Sequence, residues 1–322
     1  MITLEQLERS VPALKGFAAR YRGEVLPVLA KHERRLVSGG ELFLLGVVLA
    51  FPGAVVVKFE HAFPPWTYAP GMLLMAIGFG FMGWGAHEMS ASRKNAKVLV
   101  AELVCGLLGF SYRLFPTQTF TQWFHNIAVL PAHDTYQAED EVSGTVDGID
   151  FVFQEVLLEK EHSDLGVEAL PNKKYTTVFH GLIGMIDFHK RFSSTTVAVP
   201  RQRAWQRAVG ESIPGQRARL ESPRFEERYD VFTSDQVEAR YLLTPAFMER
   251  ILALDTFFRG NMEFAFDNGR FLFAANQQSD WMELRGNTQS LTDETYAAHI
   301  ILDAALIYHL IGALKLDAKT KA

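Results

Sequence analysis

The chain has 322 residues, 48% hydrophobic and 21% charged, with a net charge of −5 and a single cysteine. Such a length holds one large or two moderate domains, and an apolar share this high beside so many charges implies that the apolar residues are unevenly spread. The acidic balance excludes nucleic-acid binding by the chain as a whole, which needs a concentrated basic face, and lone Cys105 excludes an internal disulfide or an all-cysteine metal site.

Residues 1–40 read as amphipathic N-terminal helices. Leu4, Leu7, Val11, Leu14, Ala18, Tyr21, Val25 and Val28 recur in steps of three and four, with a restart marked by Ser10 and Pro12. Pro12 and Pro27 interrupt any long supercoil, so the stripe is expected to pack on the protein itself. The first apolar run begins only at Leu42, so no cleavable signal is expected.

Residues 41–87 read as a transmembrane helical hairpin. Leu42 to Val57 and Tyr68 to Ala86 carry no charge. At 1.5 Å per residue they span about 24 and about 28 Å, and Phe59, Phe63, Trp66 and Tyr68 can extend them into the interfaces. Pro52 is expected to kink the first helix. Lys31, Arg34 and Arg35 precede the pair and Arg93, Lys94 and Lys97 follow it, against one Lys58 between. The positive-inside rule then places both termini in the cytoplasm, at a cell inner membrane.

Within the second run, GFGFMGWG contains Gly78-x-Gly80-x-x-Gly83, the letter pattern of a dinucleotide-binding turn. The context fails, because that fingerprint needs a preceding strand and a second strand ending in an acid, whereas Glu102 opens a helical segment. No cofactor is expected. Small residues at close spacing give helices a packing face in lipid, here Gly46, Ala50 and Ala54 against Ala76, Gly80 and Gly83.

Residues 88–135 read as a helical connector, with one helix from Glu88 to Phe110 and a second in TFTQWFHNIAVLP. From residue 136 to 322 the pattern becomes a cytoplasmic α+β domain with a mainly antiparallel sheet. Asp147-Gly148 and Asn268-Gly269 mark hairpin turns, and Thr244-Pro245 opens a helix. A final amphipathic helix runs through Tyr296, Ile300, Ile301, Ala304, Ile307, Tyr308, Ile311 and Leu314 to cover one sheet face. A barrel capped by that helix fits the strand pattern.

Three blocks, YQAEDEVSGTVDGIDFVFQEVLLE, VFHGLIGMIDFHKRFSSTTVAVP and RLESPRFEERYDVFTSDQVEARYLLTPAFMERILAL, resemble those of a bacterial family of two-span membrane proteins, the domain of unknown function 3137. The resemblance runs from about residue 110 to the end, with DQVEARYLLTP, Asp235 to Pro245, its most specific part. It implies a two-span protein with a cytoplasmic domain and no established reaction. It also points to LemA-type membrane proteins as partners, since family members are often encoded near them.

Chemistry is sparse. His180, Asp187 and His189 share one strand region, and His299, Asp303 and His309 share the last helix, but neither set has metal-motif spacing. No nucleophile elbow or phosphate loop occurs. Asp235, Glu238 and Arg240 read as a structural charge network at a strand-to-helix join. Arg201, Arg203, Arg207, Arg217 and Arg219 form a basic loop that reads either as a solvated surface loop or as a contact for anionic lipid headgroups. The leading reading is a non-enzymatic, membrane-anchored module engaging a protein or lipid partner at the inner face. The alternative is a membrane-tethered enzyme with an unrecognised site in the α+β domain, and self-association is left open.

Overall fold

The computed structural model describes residues 4–6, 14–59, 63–163, 173–202, 213, 215–277, 281–283 and 290–314. It forms two compact units, Met1–Val104 with Leu284–Ile301, and Cys105–Glu283 with Leu302–Ala322.

The first unit is built on two helices, α1 (Phe17–Lys58) and α2 (Tyr68–Leu107), each long and apolar enough to cross a membrane. A 3-10 turn at Pro65–Thr67 joins them, and both the Thr67 N–H and its hydroxyl donate to the Pro64 carbonyl. Pro52 sits inside α1 without ending it. The separate helix expected from Glu88 is instead the continuation of the second apolar run, because no glycine or proline interrupts residues 87–105.

One π turn, Tyr21–Val25, lies near the start of α1. A π turn takes up one residue more than an α turn, so it shifts the phase of everything after it. Leu14, Ala18, Tyr21 and Val25 are buried as their spacing predicts, but the next buried position is Leu29, at 0% exposure, rather than Val28, at 39%. Leu7, Ser10, Val11 and Pro12 of the expected pattern lie outside the described residues. Arg22 then ties this segment to others in the unit, donating to Glu5 at 2.6 Å and to both carboxylate oxygens of Glu294 at 2.6 and 2.9 Å.

Glycines bring α1 and α2 together, though not those the four-residue spacing selects. Gly39, Gly46 and Gly53 on α1 face Gly85, Gly78 and Gly71 on α2, each seven residues from the next. A Cβ added at Gly46 would stand 2.5 Å from the Gly78 carbonyl oxygen, and one at Gly78 would stand 2.6 Å from the Ala50 nitrogen. Seven-residue repeats on both helices keep one seam in register along a left-handed pair. Gly46 and Ala50 of the expected face lie in this seam, whereas Ala54 is exposed. Ala76, Gly80 and Gly83 also face outward, with nothing within 4 Å of a Cβ at either glycine. The helical angle is the reason: Gly80 lies two residues, about 200°, from Gly78, on the other side of α2.

The second unit contains a nine-stranded antiparallel sheet among the described residues. Its strands are β1 (Ser111–Arg113), β2 (Thr135–Val146), β3 (Ile149–Ser163), β4 (Lys173–Asp187), β5 (Thr196–Pro200), β6 (Gln216–Ala218), β7 (Tyr229–Thr233), β8 (Met262–Asp267) and β9 (Arg270–Asn276). The spatial order is β1-β2-β3-β4-β9-β8-β5-β7-β6, so the sheet is open with edges at β1 and β6 rather than a closed barrel. Both expected hairpin turns form with left-handed pairs, Asp147 with Gly148 and Asn268 with Gly269, the backbone that type I′ turns require.

Helices cover both faces. α3 (Thr121–Asn126) and the turn after it bring Phe124, Ile127, Val129 and Leu130 onto Val156, Leu158, Ile183, Leu272 and Ala274. The opposite face is aromatic: Phe153, Phe264, Phe266, Phe271 and Phe273 stack edge to face or tilted, under Phe225 of α4 (Pro223–Arg228), Phe247 of α6 (Pro245–Phe257) and Phe258. Gly184 lies directly between Phe153 and Phe273 in the register, and a Cβ there would collide with both rings. On the last helix, α7 (Glu294–Leu314), the expected stripe is buried at Ala304, Ile307, Ile311 and Leu314, and Tyr308 donates to the Leu108 carbonyl at 3.1 Å.

The glycine seam predicts an asymmetric response. Gly78→Ala is expected to destabilise the hairpin by about 1–3 kcal/mol through overpacking against backbone, while Gly80→Ala is neutral or slightly stabilising because it removes a flexible residue from an open helix position. Thermal unfolding of the two variants in the same detergent checks this, and equal midpoints contradict it.

Candidate functional site

A polar cavity of the second unit lies on the aromatic face of the sheet, at its edge. Register explains its composition. In β2 and β3, Gln137 pairs with Leu157 and Glu139 with Glu155; in β3 and β4, Leu157 pairs with His180. Alternate residues of a strand share a face, so these five side chains line one patch. Glu283 completes the lining of a cavity of about 240 Å³.

Two irregularities create this arrangement. A bulge in β2 shifts the register between Glu139 and Val142. Its residue Asp140 has a left-handed backbone (φ 52°) and is fully buried, its N–H donating to the Leu114 carbonyl at 3.0 Å and its carboxylate accepting from the Tyr112 hydroxyl at 2.6 Å. Burial, reinforced by the Asp140 charge, pushes the Tyr112 hydroxyl and the Cys105 thiol upward, the thiol to about 12. The second irregularity is Met282, a non-glycine residue at φ 56°. Its N–H donates to Asp303 at 2.9 Å, and the neighbouring Trp281 N–H donates to Glu155 at 2.9 Å. Two carboxylates thus hold the strained segment that carries Glu283, and strain of this kind clusters at working sites.

Within the cavity, His180 Nε2 lies 3.0 Å from Glu155 Oε1, so Glu155 is held from both oxygens. Directly opposite it across the strands stands Glu139. Like charges in that position repel by up to about 1 kcal/mol, an arrangement that a bound cation would relieve. Among the described residues the lining offers no serine, threonine, cysteine or lysine as nucleophile, and among the same residues no group of three or more His, Cys, Asp or Glu has metal-binding geometry. What the cavity presents is negative charge, one imidazole and the aliphatic wall of Leu157.

Of the residues singled out in the sequence, only His180 belongs here. Asp235 caps α5 (Gln236–Leu242), accepting from the N–H groups of Val237 at 2.7 Å and Glu238 at 3.0 Å. Glu238 accepts from the N–H groups of Ser193 at 3.0 Å and Ser194 at 2.8 Å, and the hydrogen bonds from Ser194 and Ser193 hold its carboxyl below the usual range. Arg240 is exposed and has no ion-pair partner among the described residues. The expected charge network is therefore a set of backbone caps, because amide N–H groups reach both carboxylates first. In the basic loop, Arg217 pairs with Asp230 on β7, Arg201 donates to the Glu226 carbonyl at 3.4 Å, and Arg219 is exposed. Arg203 and Arg207 lie outside the described residues.

Glu139, Glu155 and Glu283 were not singled out in the sequence, since only the bulge brings the first two face to face. Residues 177–316 match the family described as a protein of unknown function, DUF3137. The matched segment contains His180 and Glu283 but not Glu139 or Glu155, and it starts later than the resemblance from residue 110 suggests. No curated protein matches the sequence. Among solved structures, the chain is similar to the mycobacterial trehalose monomycolate transport factor A, TtfA, at 9% identity and a TM-score of 0.32, over 69% of this chain and 97% of that chain.

Two outcomes follow from the geometry. Glu139→Gln is expected to raise stability by a few tenths to about 1 kcal/mol in low salt by removing the cross-strand repulsion, with the gain shrinking in 1 M salt; denaturant melts at both ionic strengths measure it. Glu238→Ala should speed amide exchange at Ser193 and Ser194 at neutral pH. In the wild type the same release should come only on acidification, as pH falls through the depressed Glu238 value, because the stability of a lowered carboxyl is present above its unfolded value.

Proposed function

We propose that the protein is a two-span membrane protein whose sheet unit is a binding module at the cytoplasmic face, and that its Glu155–His180 cavity receives a cationic side chain of a partner protein. The membrane half of this reading is carried by the outward side of the hairpin. Glycines fill the seam between α1 and α2, so the large apolar side chains point away from the protein: Leu44 is 66% exposed and Phe51 68%, with Val48, Leu73, Phe79 and Trp84 also exposed. Such a surface suits lipid, and is far too apolar to leave in water. The orientation follows from the basic flanks.

The binding half is carried by the cavity's charge and size. At about 240 Å³ it falls below the range of about 300–1,000 Å³ of small-molecule pockets, and it fits one ammonium or guanidinium group between Glu139, Glu155 and Glu283. A LemA-type membrane protein, the neighbour that the family resemblance implies, is the first partner to seek.

A photo-crosslinking residue in place of Gln137, on the cavity rim, tests the site in native membranes. Capture of a partner through a Lys- or Arg-bearing segment is expected, reduced at least tenfold when Glu139→Gln and Glu155→Gln are combined. An unchanged crosslinking pattern in that double variant contradicts the assignment. Protease protection in sealed vesicles of known orientation tests the topology separately, since the sheet unit and the Lys58–Tyr68 connector should be cut from opposite sides.

A further inference from the structure

The first unit carries a second recognition feature, a groove of about 630 Å³ between α1 and α2 at the end of the charge-free runs. Its α1 wall is Lys31, Arg34, Arg35 and Ser38, which recur on one face of the helix, and its α2 wall includes Trp84 and, one turn on, Glu88. Three cations thus face one carboxylate. Arg34 donates one N–H to the Ala30 carbonyl at 3.3 Å, and among the described residues no ion pair engages Lys31, Arg34 or Arg35. Nearby, burial and then the charges of Arg35 and Lys31 hold the His32 imidazole below its ordinary value, a second sign of the positive field.

The groove is also amphipathic along its length. Leu42, where the first charge-free run begins, also lines it, and so does the exposed Trp84. Arg34 and Arg35 stand about 10–12 Å above Leu42 along the helix axis, and long cationic side chains cover such distances by reaching toward the headgroup layer. A soluble anion would use only the charged end. An anionic lipid would use both.

We propose that this groove binds the headgroup phosphate of an anionic phospholipid between Lys31, Arg34 and Arg35, with the acyl chains leaving past Leu42 and Trp84. The proposal rests on the membrane reading above and adds a specific lipid class and site to it.

The test uses the full chain reconstituted in phosphatidylcholine vesicles, with spin-labelled phosphatidylglycerol and spin-labelled phosphatidylcholine as probes. The wild type should favour phosphatidylglycerol several-fold. The combined Lys31→Gln, Arg34→Gln and Arg35→Gln variant should bring that ratio close to one, each charge contributing up to about fivefold. Glu88→Gln should raise the ratio, a gain that a folding defect cannot mimic, and Arg93→Gln with Lys94→Gln should leave it unchanged. Equal association of the two lipids with the wild type, or a ratio unmoved in both groove variants, overturns the site. Displacement of the labelled lipid by millimolar inorganic phosphate as effectively as by unlabelled phosphatidylglycerol assigns the groove to a free anion and overturns the lipid proposal. Flotation of the vesicles separates the two readings: protein that floats without selectivity refutes the groove alone, whereas protein that does not float refutes the membrane reading as well.

Discussion

Along Gly39, Gly46 and Gly53 the backbone of α1 lies against the backbone of α2 with no side chain between. This approach governs the unit that contains it. With glycine main chain at the centre of the pair, most of the large apolar side chains of the two runs face outward, and the hairpin gains attraction from short main-chain contacts flanked by side chains such as Val56 and Met82. The same glycines that set the helix separation thus also leave the pair with a largely apolar outer surface.

The sheet unit follows the opposite logic. Its strands are apolar on both faces at β8 and β9, and helices or aromatic side chains cover each side. Several polar groups of this core are held by hydrogen bonds within it. Arg228 and Asp255 form such a pair, with Arg228 Nη2 donating to Asp255 Oδ1 at 3.0 Å and the Met262 N–H also directed to that carboxylate. Glu155 is held in the same way by His180 and the Trp281 N–H, but it also has a second carboxylate, Glu139, directly opposite it. That contrast distinguishes a structural clamp from a site with capacity for a ligand.

Much of the architecture was legible in the sequence because it rests on local rules. Asp147-Gly148 and Asn268-Gly269 dictate their turns, Thr244 caps the helix that Pro245 opens, and two charge-free runs announce two long helices. Reading failed where one added residue changes phase. Counting outward from the Asp147-Gly148 turn in strict alternation pairs Glu139 with Val156; the bulge at Asp140 moves it opposite Glu155, and with it the identity of the cavity. The π turn at Tyr21–Val25 does the same to the helical stripe, exchanging Val28 for Leu29. For the glycines the error was one of period, since spacings of four and of seven both occur in the runs and only contact between the helices selects between them.

The π turn has a further consequence at the level of the gene. It stores one surplus residue in α1, and such a turn is converted to plain α-helix by loss of a single codon. That deletion would rotate everything upstream by about 100° relative to the glycine seam, turning Phe17 and Tyr21 off their present buried positions while leaving the seam itself intact. A one-residue gap is usually harmless in a loop; between residues 21 and 25 it would uncouple the two ends of one helix. Length, as much as side-chain chemistry, is therefore under constraint in that short segment.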